Sequence, residues 1–199
     1  MKKLLPFILL GALPSAAQWR HFGDPQIRPA GYFGVGVSAP VNPVATRLNT
    51  GWNLAGGVGF TTRYAGLLLD AMYNDFGFNR DALLRAGARR GGQRYWAVSA
   101  NPIVHVNPRG PVDFYVTGGA GIYGQINQYR ASSDSRFSDR YDLISSYEIY
   151  KPGVNLGAGF AFNLGHERDP KIFVEARYHH MFIRGSGASI VPVTMGIRF

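Results

Sequence analysis

The residues best equipped for chemistry in this chain are charged groups on the more polar side of alternating segments. Asp70, Asp113, Lys151, Glu175 and Arg177 fall there, with Arg198 beside the last residue. Glu175 and Arg177 are two apart, so a strand would present both on one face. In a narrow interior such groups must pair or stay wet. Two kinds of chemistry are open to them. One is an ion-pair and hydrogen-bond plug that fixes strand register, and the other is a polar path for small solutes. Asp70, Glu175, Arg177 and Arg198 form the candidate lumen network.

Three further patterns need weighing. Arg80, Arg85, Arg89, Arg90 and Arg94 gather in and beside one connecting stretch, where Leu83, Leu84 and Ala86 could form a helical turn. Guanidinium groups grip phosphate through two parallel hydrogen bonds, so this cluster is a candidate phosphate contact. His179-His180 follows Glu175 by four and five. That spacing could gather a metal on a helix, but on a strand the two rings point to opposite faces, so no metal site is expected. Gly119-Ala-Gly-Ile-Tyr-Gly124 spells G-x-G-x-x-G. A dinucleotide site would need a helix to begin there. The continuation Gln-Ile-Asn-Gln-Tyr129 has no helical period, so the glycines read as space for large inward neighbours such as Tyr115 and Tyr123. No cofactor is expected. The stretch from Tyr129 to Tyr147 interleaves serine, aspartate and arginine without naming a ligand, and reads as a surface loop able to meet a partner.

The elements that must position these groups are strands. Glycine is abundant, 26 of 199 residues, and aromatic residues make up 14%. Together with the absence of helical periodicity, this points to an all-β chain. Eight segments alternate apolar and polar: 31–39, 51–61, 66–76, 94–106, 112–126, 150–163, 171–182 and 190–199. The last shows the pattern cleanly, with Val191, Val193, Met195, Ile197 and Phe199 on one face. Most segments run about 9–14 residues, enough for a tilted strand, which needs about 9–11 to cross a bilayer. Trp52, Phe60, Tyr150, Phe162, Phe182 and Phe199 lie towards segment ends, as interfacial aromatic belts require.

The connections alternate in length. Those after the second, fourth and sixth segments are short (62–65, 107–111, 164–170). Those after the first, third and fifth are long (40–50, 77–93, 127–149), and 183–189 is intermediate. An even strand count lets the sheet close with no free edge.

Residues 1–17 read as a cleaved signal peptide, with Lys2-Lys3, a short apolar run at 4–13 and Ser15-Ala16-Ala17 at the cleavage site. Residues 18–30 form a lead-in and 31–199 the barrel domain. No later stretch approaches a helical membrane span. Cysteine is absent. The net charge of +9 becomes +7 once Lys2 and Lys3 are removed, which suits anionic lipid or a polyanionic surface. Nucleic acid is not an expected partner of an exported chain.

Gly31-Tyr-Phe-Gly-Val-Gly-Val37, Asn155-Leu-Gly-Ala-Gly-Phe160, Phe173-Val-Glu-Ala-Arg-Tyr178 and Pro192-Val-Thr-Met-Gly-Ile-Arg-Phe199 resemble the small outer-membrane β-barrels of the OmpX, OmpW, OmpA-barrel and opacity-protein type. The resemblance covers nearly the whole mature chain. It implies an eight-stranded antiparallel transmembrane barrel in the bacterial outer membrane, with short periplasmic turns and longer extracellular loops. In such a membrane the arginine cluster reads either as a contact of lipopolysaccharide phosphates or as a merely solvated loop, and the terminal Phe199 is similar to the signal read by the barrel-assembly machinery. Lipid A deacylases of this size class place a serine two residues after a histidine, but Met181 and Phe182 hold those positions here, so no enzyme is expected. The expected role is a non-catalytic envelope protein acting through its surface loops. The alternatives are a narrow channel for small or apolar solutes and, remotely, a soluble periplasmic barrel with an internal ligand.

Overall fold

The computed structural model describes residues 27–41, 43–130, 145–163, 170–183 and 187–199, without the side chains of residues 130 and 145–147. The expected signal peptide, most of the lead-in and most of the serine-rich loop lie outside the described residues.

Eight strands follow one another: β1 Arg28–Val41, β2 Gly51–Thr61, β3 Ala65–Gly77, β4 Arg90–His105, β5 Val112–Arg130, β6 Ser145–Asn163, β7 Lys171–Met181 and β8 Ala188–Arg198. Each pairs antiparallel with its sequence neighbour, and β8 returns to β1 to close a barrel. The closing seam runs from Tyr32↔Arg198 to Val41↔Ser189. Beyond it the backbone of Phe199 exchanges two hydrogen bonds with Gly31, at 2.8 and 2.9 Å.

The alternation of the sequence is the alternation of the wall. Phe33, Val35, Leu54, Val58, Leu69, Val98, Ile122, Leu156, Val193, Met195 and Ile197 stand exposed on the outside. Asn53, Asp70, Asn74, Asn101, Thr117, Glu175 and Arg177 are buried inside. A barrel that folds in water does the reverse. An apolar outside on a closed sheet suits hydrocarbon, because every backbone group is already paired within the wall. The reading of a soluble barrel with an apolar interior is thereby excluded. Aromatic rings cluster at both ends of the outer face. Trp52 packs on Tyr73 and Trp96 on Tyr150, each at 5.5 Å, at the end away from the termini. Phe114 packs on Phe160 at 5.3 Å at the end that carries the termini.

Several strands run beyond their expected ends, β4, β5 and β6 by four or five residues. β4 begins at Arg90 rather than 94, β6 begins at Ser145 rather than 150, and β5 continues to Arg130 rather than 126. Ladder pairing persists to Arg90↔Arg130 and Tyr129↔Ser145, where apolar alternation has already stopped. Backbone pairing needs no lipid-facing side chains, so the ribbon rises past the apolar band. β1 likewise starts at Arg28, paired with Thr61, inside the expected lead-in.

The first two long connections carry short helices. A single 3-10 turn spans Val44–Thr46, and α1 spans Arg80–Arg85. Asn79 caps α1, its side chain accepting from the Ala82 amide at 2.9 Å. The two connections are joined. Leu48 bridges Phe78, the Asn79 amide donates to the Arg47 carbonyl at 2.9 Å, and Asn79 Nδ2 donates to the Thr46 carbonyl at 2.8 Å.

Candidate functional site

The lumen is built in three layers. At the end carrying the termini, Tyr32, Leu68, Ile103, Tyr115, Ala161 and Phe173 form an apolar plug. At the opposite end Val44, Leu48, Phe76, Phe78, Tyr95, Met181 and Ile190 form a second one. Charged and amide side chains fill the space between them.

Arg177 is the centre of that middle layer. One terminal nitrogen lies 2.7 Å from Asp70 Oδ2, the other 2.7 Å from Glu175 Oε1, and all three residues are buried. Asn101 donates to the same Asp70 oxygen at 2.7 Å and to Ser99 Oγ at 2.8 Å. Arg198 stands 3.9 Å from Glu175 Oε2, with its guanidinium 4.1 Å from the Tyr115 ring and 5.3 Å from that of Phe173. The structure therefore brings Asp70, Glu175, Arg177 and Arg198 together from β3, β7 and β8. A cavity of about 20 Å³ remains beside them, room for roughly one water. Glycine makes this density possible. A Cβ at Gly57 would come within 2.2 Å of Asp70 Oδ1 and 2.6 Å of the Tyr32 ring, and one at Gly159 within 2.5 Å of the Tyr115 hydroxyl.

Two of the expected inward charges behave differently. Asp113 is buried but belongs to another pair, with His105 Nδ1 at 2.5 Å, beside Tyr115. Lys151 is exposed. Its parity is inward, but pairing between β6 and β7 begins only at Gly153, so among the described residues no β7 partner stands beside Lys151.

The histidines part as strand geometry requires. His179 is buried inside and meets the Tyr123 hydroxyl at 3.0 Å. His180, on the outer face, reaches Ser189 Oγ at 2.8 Å, and the Tyr178 hydroxyl reaches the same oxygen at 2.7 Å. Neither this outer cluster nor the His105–Asp113 pair stands out in the sequence. The signal available was the break that His180 makes in an apolar face, but its cross-strand partner depends on register. Gly119, Gly121 and Gly124 lie within β5, where no helix begins. Among the described residues no three His, Cys, Asp or Glu side chains converge as a metal site.

The arginine cluster divides. Arg80 and Arg85 are on α1 and Arg89 follows it, all three exposed. Arg90 and Arg94 belong to β4, on the outward row that continues to Trp96 and Val98. Arg94 Nε lies 3.4 Å from Asp75 Oδ2 of the neighbouring strand.

Solved structures share this architecture. Neisserial surface protein A aligns with a TM-score of 0.63 at 10% identity, over 86% of this chain and 97% of that one. This chain has the fold of a small outer-membrane β-barrel. With its lipid-facing wall, that fold places it in the bacterial outer membrane, short turns towards the periplasm and long loops outside. Two looser matches are Ail of Yersinia pestis in complex with sucrose octasulfate, at 20% identity and a TM-score of 0.48 over 86% of this chain and 99% of that one, and the N-terminal barrel of Pseudomonas aeruginosa OprF, at 15% and 0.45 over 87% and 97%. No protein-family model and no curated protein sequence matches the chain. For the outer-membrane barrel the lumen is thus a filled interior.

Proposed function

We propose that the protein is a non-catalytic envelope protein that uses a plugged barrel as a rigid mount for its extracellular loops. The observation that carries this reading is the filled lumen: two apolar plugs enclose an ion-paired layer whose cavity holds about 20 Å³. Eight strands enclose a space that side chains can just fill. The binding surface is then the outside. Its joined first and second loops are braced by Phe78 stacked on Tyr129 at 4.6 Å. The five arginines 80, 85, 89, 90 and 94 stand at the outer-leaflet end, suited to the phosphates of lipopolysaccharide.

Conductance tests this against a narrow channel. Purified protein in planar bilayers is expected to give no unitary current steps, and liposomes carrying it should admit small solutes no faster than empty ones. Steady steps abolished by Arg177→Met in protein that keeps the heat-dependent mobility shift of a closed barrel would establish the channel instead.

Phe199 is proposed as the signal read by the barrel-assembly machinery. Its ring is exposed while its backbone closes the seam with Gly31. Phe199→Ala therefore leaves the hydrogen bonds of the seam intact. The expected result is a several-fold loss of heat-modifiable protein in the outer membrane, with protein refolded in detergent unaffected. Equal amounts in the membrane would remove Phe199 from that role.

A further inference from the structure

We infer that a cleft on the outer face of β3, β4 and β5 holds one phosphate group of a glycolipid headgroup between Arg90 and Arg94. This rests on the proposed lipopolysaccharide contact and narrows it from five arginines to two.

The cleft has a volume of about 230 Å³ and is lined by Asp75, Gly77, Arg90, Gly92, Arg94 and Gln128, among others. Those six occupy outward positions in neighbouring rungs: Asp75 pairs with Arg94, Gly77 with Gly92, and Gly92 with Gln128. One outward step below lies the Tyr73↔Trp96 rung of the aromatic belt. Two residues rise about 7 Å along a strand. The cleft therefore opens sideways just above the aromatic belt, at the height of lipid headgroups rather than of free solvent or hydrocarbon. Its size suits a headgroup fragment, since pockets for whole small molecules are mostly larger.

The charge also fits. Two arginines and one aspartate leave the cleft with one net positive charge. Asp75 Oδ2 lies 3.4 Å from Arg94 Nε, on the edge of the guanidinium, which leaves the terminal nitrogens unclaimed among the described residues. Arg90 has no carboxylate partner among the described residues. Gln128 adds an amide donor. Paired guanidinium groups with a neutral donor are a recognition set for phosphate.

Glycine keeps the cleft open. Gly77 does not have positive φ, and a Cβ there would meet nothing within 4 Å. The backbone would thus accept a side chain, and the space exists because none is present. Arg80 and Arg85 lie on α1, outside this row, and serve as the comparison.

The test uses the full mature chain in phosphatidylcholine nanodiscs, with bound lipid A measured by native mass spectrometry. Arg90→Ala/Arg94→Ala, and separately Gly77→Leu with both arginines kept, are each expected to weaken retention about tenfold, the scale of one charge-assisted pair. Arg80→Ala/Arg85→Ala should change it less than about twofold, as befits an exposed contact. Dephosphorylated lipid A should bind the unaltered protein as weakly as lipid A binds the cleft variants. Each variant must keep the heat-dependent mobility shift of a closed barrel. Loss in the α1 variant with retention in both cleft variants would overturn the cleft while leaving the lipopolysaccharide reading standing. Equal retention of dephosphorylated lipid A would overturn both. Displacement of bound lipid by millimolar inorganic phosphate would overturn the lipid as the source, in favour of a soluble phosphate.

Discussion

Arg177→Met is expected to destabilise the folded barrel by about 3–5 kcal/mol, measured by guanidinium unfolding in detergent. The size follows from what stays behind. Asp70 and Glu175 are 4% and 6% exposed, and Arg177 is within 2.7 Å of both. Methionine fills much of the volume but leaves two buried carboxylates without their shared cation. Removing one member of a buried network costs far more than the network contributes over an apolar replacement. The triple variant Asp70→Asn, Glu175→Gln, Arg177→Met should therefore recover most of the loss, because amides keep hydrogen-bonding shape without charge. A single variant within about 1 kcal/mol of the unaltered protein would mean that the layer is wet and weakly coupled.

How the sequence foretells this layer shows where sequence reasoning stops. Parity identified Asp70, Glu175, Arg177 and Arg198 as inward, because a strand between lipid and lumen must alternate. Parity says nothing of height. Arg177 meets Asp70 across 107 positions of chain only because the stagger of the closed sheet brings those rungs level. Lys151 has the same parity as Asn155 but sits where β6 has outrun β7, and so it is exposed. His105–Asp113 was invisible for the same reason, since two inward residues become a pair only once the register is known. Strand ends split along similar lines. The bounds of β2 and β7 are legible in the sequence because their whole length lies in the apolar band. β4, β5 and β6 continue as a ribbon held by backbone pairing, which leaves no apolar trace. The arginine cluster reads as one loop by composition, yet the ladder assigns Arg90 and Arg94 to β4 and turns them to the outer wall.

The second large effect probes that outer wall. Leu69→Arg is expected to cost about 2–4 kcal/mol, whereas Tyr64→Arg should cost about 0–1 kcal/mol. Both side chains are highly exposed, at 55% and 54%. In water, two such substitutions would be nearly equivalent, since a surface change away from special features usually stays within about 0.5 kcal/mol. The difference arises from depth. Leu69 lies on the outward row between Leu67 and Tyr73, paired with Val58 and Ala100, and every neighbour in that rung is apolar. An arginine there must carry its charge to one interface past the aromatic belts. Tyr64 is in the short turn between β2 and β3, already at the periplasmic interface, where a guanidinium stays hydrated. Unfolding by guanidinium in phosphatidylcholine vesicles measures both. The contrast should disappear when the same variants are unfolded from short-chain detergent micelles, which deform around a buried charge more readily than a bilayer does. Equal costs at the two positions in vesicles would mean that Leu69 does not face hydrocarbon, and the apolar wall would need another partner.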